Sequence, residues 1–182
     1  MTTLNDVLRQ CEVWLEPGRF KDHCPNGLQV QGKPEVRRLM SGVTASRALI
    51  EHAIDWGADA VLVHHGLFWR GQSGVITGWM RERVALLLAH DISLLAYHLP
   101  LDAHPQWGNN AQLGKQLGLQ VQGQFGEQSL GVWGQTPGWS FDQLQSHCQQ
   151  VLNRAPTGVP GDGRPIHRLG WCTGGAQGYF ES

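Results

Sequence analysis

Two short apolar runs, each ending abruptly in histidine, constrain the fold of this chain more than any other feature. The first is Ala60-Val61-Leu62-Val63, followed by His64-His65-Gly66; the second is Leu94-Leu95-Ala96-Tyr97, followed by His98. Four to six apolar residues without polar alternation mark a strand buried on both faces, the pattern of a parallel sheet covered by helices. In open α/β sheets the ligand crevice lies outside the carboxyl ends of the strands. Two such strands side by side would bring His64, His65, His98 and Asp102 to one rim. Imidazole nitrogens with a carboxylate oxygen suit zinc, iron, nickel or manganese. Neighbours in a pleat point to opposite faces, so His64 and His65 share a site only where Gly66 lets the chain turn, or else each serves its own ion. His98, four residues before Asp102, reads either as a ligand or as an acid–base group beside the ion.

The flanking sequence alternates strand and helix signals. Residues 38–43 read as the first strand of the main sheet. Thr44 or Ser46 then caps a helix whose Leu49, Ile50, Ala53 and Ile54 face inward until Gly57. A further helix over about 79–90 leads into the second histidine run, completing two right-handed β-α-β crossovers. Before them, Thr3 opens an amphipathic helix carrying Leu4, Val7, Leu8, Cys11 and Leu15 until Pro17-Gly18. Pro25-Asn26-Gly27-Leu28-Gln29-Val30 reads as a turn and an edge strand or hairpin. Asn109 or Asn110 is expected to cap a helix through Leu113 and Leu117.

The Gln- and Gly-rich stretch 120–128 marks a domain boundary. The expected architecture is α/β: a three-layer first domain over residues 1–122, with helices on both faces of the sheet, and a smaller, incomplete α/β domain over residues 123–182. The second domain should hold a strand near 130–133, a helix opened by the Ser140-x-x-Gln143 capping box, a strand over 168–173 and a glycine turn leading to another helix.

Composition removes several alternatives. Fourteen Lys+Arg against fifteen Asp+Glu leave a formal charge of -1, so no broad basic surface points to nucleic acid or anionic membrane. No apolar run approaches a membrane span and the first ten residues lack a signal core, so a cytoplasmic location is expected. The four cysteines never form C-x-x-C and read as reduced, mostly buried thiols. His52, His90, His147 and His167 read as ordinary surface or capping histidines. His104, Trp69, Arg70 and Trp107 are candidates for lining the site and contacting a substrate by charge and stacking.

Four blocks of sequence together carry a resemblance: Pro25-Asn26-Gly27-Leu28-Gln29-Val30, Asp59 through Gly66, Tyr97 through His104 with Gly108-Asn109-Asn110-Ala111, and Trp171-Cys172-Thr173-Gly174-Gly175. The chain resembles, over nearly its whole length, the Ngg-interacting-factor-three-like family, whose members are labelled GTP cyclohydrolase I type 2 homologs. The resemblance implies a dinuclear divalent-metal centre between two α/β domains and subunits assembled as a toroidal homohexamer. By motif, His64, His65 and Asp102 match metal ligands, and His98 lies in the same pocket; in a hydrolytic scheme at such a centre His98 would be the catalytic proton carrier. The family's further ligands come from an H-x-x-x-E motif that this sequence does not contain. The expectation is a chain shortened before that motif, in which the second ion lacks ligands. The implied function is that of a metal-dependent hydrolase acting on a small molecule; the alternative is a non-catalytic metal-binding scaffold or metal-handling protein.

Overall fold

The two histidine-terminated runs are adjacent parallel strands. The structure, a computed structural model, describes residues 1–181. Helix α1 (Leu4–Leu15) is followed by strands β1 (Gly27–Val30) and β2 (Leu39–Thr44), helix α2 (Arg47–Trp56), β3 (Ala60–His65), α3 (Gly78–Ala89) and β4 (Ser93–Ala96). These strands form one sheet in the order β1-β4-β3-β2. β2, β3 and β4 run parallel, and β1 closes the edge antiparallel to β4.

The unbroken apolar runs are explained by what covers each face. Val61, Val63, Leu94 and Ala96 pack against Ile50 and Ala53 of α2 and Met80 and Leu87 of α3. Their neighbours Ala60, Leu95 and Tyr97 pack on the opposite side against Leu4 and Cys11 of α1. Helices therefore lie on both faces, the expected three-layer arrangement. Each fully buried aliphatic side chain contributes about 1.5–3 kcal/mol relative to exposure. Local signals agree with this packing. Thr3 and Asp6 form a capping box at the start of α1, Ser46 accepts from Leu49 N at the start of α2, and Gly57 ends that helix with φ 72°. Among the described residues no helix is long and apolar enough to cross a membrane.

The chain divides into two compact units, residues 1–101 and 102–182, so the division falls earlier than the 122/123 boundary read from the sequence. The division lies within the short helix α4 (Leu99–Ala103). The second unit contains α5 (Asn109–Gln116), β5 (Gly123–Phe125), β6 (Gly131–Trp139), α6 (Phe141–Leu152) and β7 (Ile166–Trp171). Its core holds Leu117, Leu119, Val132 and Trp171, with Leu113 of α5 packed against them; α5 belongs to this core, which accounts for the earlier division. The sheet order is β5-β6-β7, all antiparallel.

Three local expectations are corrected here. The stretch 120–128 is no plain linker: it contains β5, where Gly123 pairs with Trp133 and a Cβ would overlap the indole Nε1. Strand β6 runs beyond Trp133 to Trp139, with a register irregularity between Gln135 and Trp139, where Pro137 has no N–H to donate. The residue that caps α5 is Gly108, not Asn109 or Asn110. Asn110 is buried and works as a tie instead: its Nδ2 donates to Leu130 O, its Oδ1 accepts from Thr173 N, and its carbonyl accepts from the Trp171 indole.

Candidate metal centre

His64 and His65 end β3, and His98 follows β4 by two residues. Because β3 and β4 are neighbours in register, with Val63 opposite Ala96, their carboxyl ends share a rim. One ring nitrogen each from His64, His65 and His98 can be chosen so that all lie within 4.8 Å of one another. The ring centroids of His64 and His65 are 4.4 Å apart, and that of His98 is 4.8 Å from His64 and 5.5 Å from His65. The adjacent pair are the last two residues of β3, and their rings meet there although both belong to the strand.

Gly66 follows directly on β3 without the positive φ of a glycine turn, and its lack of a side chain is required by close approach instead. A Cβ there would overlap Gln29 Oε1. That amide is itself held: Oε1 accepts from Leu67 N at 2.8 Å, and Nε2 donates to Pro25 O at 2.9 Å. Gly66→Ala is therefore expected to push Gln29 out of both bonds and destabilise the fold by about 1–3 kcal/mol. Chemical denaturation checks this; unchanged stability would mean that the amide swings aside freely.

The hydrogen bonds define which nitrogens can meet a cation. His64 Nδ1 lies 3.2 Å from Tyr97 O, and a carbonyl only accepts, so Nδ1 carries the proton and Nε2 the lone pair. His98 Nδ1 lies 2.8 Å from Asp22 Oδ1, and the same reasoning against a carboxylate leaves Nε2 as its basic nitrogen. His65 Nδ1 is 3.3 Å from Thr44 Oγ1, a hydroxyl able to donate or accept. A second-atom partner that fixes the tautomer is the ordinary accompaniment of a metal-ligating imidazole. The donor set thus fits a divalent cation.

Trp69 borders this cluster. Its ring stands edge-on to His98 at 5.1 Å and tilted to His65 at 5.8 Å, and its indole donates to Gly66 O. Arg70 is tied to the same corner: its guanidinium donates to Asp22 O and its N–H to His23 O. Asp102 opens the second unit. It is buried, and its Oδ1 accepts from Asn109 Nδ2 at 2.7 Å and Thr173 Oγ1 at 3.4 Å. His104 and Trp107, also in the second unit, stack on each other at 4.6 Å.

Sequence reading missed Asp22, Asn26 and Gln29. Asp22 is the most consequential of them. Its side chain is only 3% exposed; burial alone would raise its carboxyl pKa, but hydrogen bonds from His98, Asn26 and Leu99 N outweigh that and hold it well below the usual carboxylate range. The available signal was the pair of amide side chains, Asn26 and Gln29, on either side of Gly27-Leu28 in an otherwise apolar edge strand.

A mostly parallel sheet covered on both faces, with an imidazole cluster on the carboxyl rim of two neighbouring parallel strands, makes this an α/β protein with a candidate metal centre. The sequence model of the Duf34/NIF3 (NGG1p interacting factor 3) family matches residues 2–182, and the chain belongs to that family. A curated relative from Neisseria meningitidis serogroup B, named "GTP cyclohydrolase 1 type 2 homolog", is 45% identical across 100% of this chain and 74% of its own length. One of the same name from Pseudomonas aeruginosa is 47% identical over 98% of this chain and 72% of its own. Among solved structures, one described as "protein ybgI, unknown function" superposes with a TM-score of 0.92 at 43% identity, over 99% of this chain and 73% of that one. The crystal structure of TTHA1606 from Thermus thermophilus gives a TM-score of 0.76 at 31% identity, over 91% of this chain and 69% of that one.

Proposed function

We propose that the protein binds a divalent cation at His64 and His65, with Asp102 as the carboxylate ligand given by the family motif, and acts as a metal-dependent hydrolase on a small molecule. The observation that carries this reading is the gathering of three imidazole nitrogens within 4.8 Å, two of the rings being oriented through Nδ1 by a carbonyl and a carboxylate. A divalent cation held there would supply Lewis-acid activation of water at neutral pH. His98 then serves as the proton carrier through Nε2, within reach of the other two rings. Trp69 provides an aromatic wall for a planar substrate, and Arg70 a positive edge anchored to the Asp22 loop. The relatives' name points to a purine ring carbon as the position attacked; phosphoesters and amides fit the same chemistry.

The test is an assay of the Zn2+-, Mn2+- or Fe2+-loaded protein against nucleotides, phosphodiesters and small amides, with Asp102→Ala beside it. Turnover of one class that falls by at least about 100-fold in the variant is expected, a catalytic metal being worth several kcal/mol of barrier. Tight metal binding with no turnover of any class would replace the hydrolase by a metal-binding scaffold.

A further inference from the structure

Asp22, Cys24 and His98 form a second group whose donor atoms lie within 4.8 Å of one another. Two uses of it can be separated: a further ion site, or a device acting on His98. Hydrogen bonding decides between them. Both carboxylate oxygens of Asp22 are engaged, Oδ1 accepting from His98 Nδ1 at 2.8 Å and His23 N at 2.6 Å, and Oδ2 from Asn26 Nδ2 and Leu99 N, each at 2.9 Å. An ion would have to displace these donors, at a cost of about 1–3 kcal/mol for each buried group left without a partner. Cys24 does not help, since burial, followed by the charge and hydrogen bonding of Asp22, pushes its thiol up to about 12.

The surroundings are built to hold this carboxylate still. Asn26 clasps it from one side through Nδ2 while its Oδ1 accepts from His98 N at 2.8 Å. The backbone of the same residue is held by the Arg70 guanidinium, which donates to Asp22 O. The carboxylate is thus fixed by Leu99 N, next to the imidazole it touches, and by His23 N, although 76 residues separate it from His98.

We propose that Asp22 is the positioning residue of His98: it locks the ring in the Nδ1–H tautomer and so makes Nε2 the basic nitrogen that the imidazole contributes to the cluster. The proposal rests on the proposed function for what that nitrogen does, but the tautomer itself is testable without metal or turnover. Asp22→Asn supplies the decisive contrast. One oxygen replaces two, and of the four donors only the imidazole can become an acceptor. The amide therefore keeps its oxygen where Oδ2 stood, toward Leu99 N and Asn26 Nδ2, losing only the bond from His23 N, and its NH2 takes the place of Oδ1 and faces His98, which then accepts at Nδ1 and carries its proton on Nε2.

The experiment is two-dimensional 15N–1H correlation of the histidine side chains in the metal-free protein, with His98→Gln to assign the signals. In the wild type, His98 should show a protonated Nδ1 and an unprotonated Nε2 at neutral pH; in Asp22→Asn the two nitrogens should exchange character. A wild-type His98 protonated on Nε2 overturns the proposal even if the variant does not fold, and so does a folded variant with the wild-type pattern. A parallel Zn2+ titration of the wild type keeps the two ideas apart: absent binding counts against the metal reading, while the tautomer result still judges Asp22.

Discussion

Replacing His64 with alanine is expected to weaken Zn2+ binding by roughly 100- to 1,000-fold. Binding free energies of about 10–16 kcal/mol spread over some four ligands give about 2.5–4 kcal/mol for each, and each ~1.4 kcal/mol is a factor of ten. The figure is large because the ring is prepared for the ion: Tyr97 O holds its Nδ1–H, so little orientation has to be gained on binding. Chelator competition measures the loss, with His147→Ala as the control. That histidine lies on α6 of the second unit, bonded through Nε2 to Leu117 O, and its loss should leave binding unchanged. A His64→Ala protein within about threefold of wild type would remove His64 from the ligand set.

The largest expected stability effect falls at Asp59, just ahead of β3. Its residue is 5% exposed, and its Oδ2 accepts from Arg37 N at 2.6 Å and Arg38 N at 2.8 Å, while Lys33 pairs with Oδ1. These bonds fix the entry of β2 beside β3. Asp59→Ala leaves two backbone N–H groups without this acceptor and should cost about 2–4 kcal/mol, a large share of the roughly 5–15 kcal/mol of a typical fold. The same site gives a pH dependence with a definite sign. Burial raises the Asp59 carboxyl, but hydrogen bonds from Lys33 and the two backbone groups outweigh it, and the folded-state value is lowered. A lowered carboxylate contributes stability that is fully present above its unfolded value of about 3.9 and is lost as pH falls through the folded value. Urea unfolding below about pH 4 should therefore be less pH-dependent in Asp59→Asn than in wild type. Parallel slopes in that window would show that the carboxylate contributes nothing there.

Much of the sheet and its rim was legible because each depends on short-range pattern. The runs 60–63 and 94–97 lack polar alternation since α1 covers one face and α2 and α3 the other, and histidines directly after such runs must lie at strand ends. What stayed hidden depends on contacts between distant segments. Asp22 lies in a polar loop that looks like any solvated connection, and only the folded chain brings it to His98. Gln29 reads as an outward-facing strand residue until its amide is seen filling the space that Gly66 leaves. Strand β5 escaped because Gly123-Gln124-Phe125 has little strand propensity of its own and is specified by its pairing with β6 and the Trp133 ring. Asn110 resembles a helix cap, yet its side chain is spent on Leu130 and Thr173.

X-ray absorption at the zinc edge, on the protein loaded with one equivalent of Zn2+, addresses the metal centre most directly. At least two imidazole nitrogens at about 2.0–2.1 Å are expected, with the outer-ring scattering of histidine reduced in His64→Ala. A purely oxygen shell, or a spectrum identical in wild type and variant, would contradict the assignment of the cation to the histidine rim.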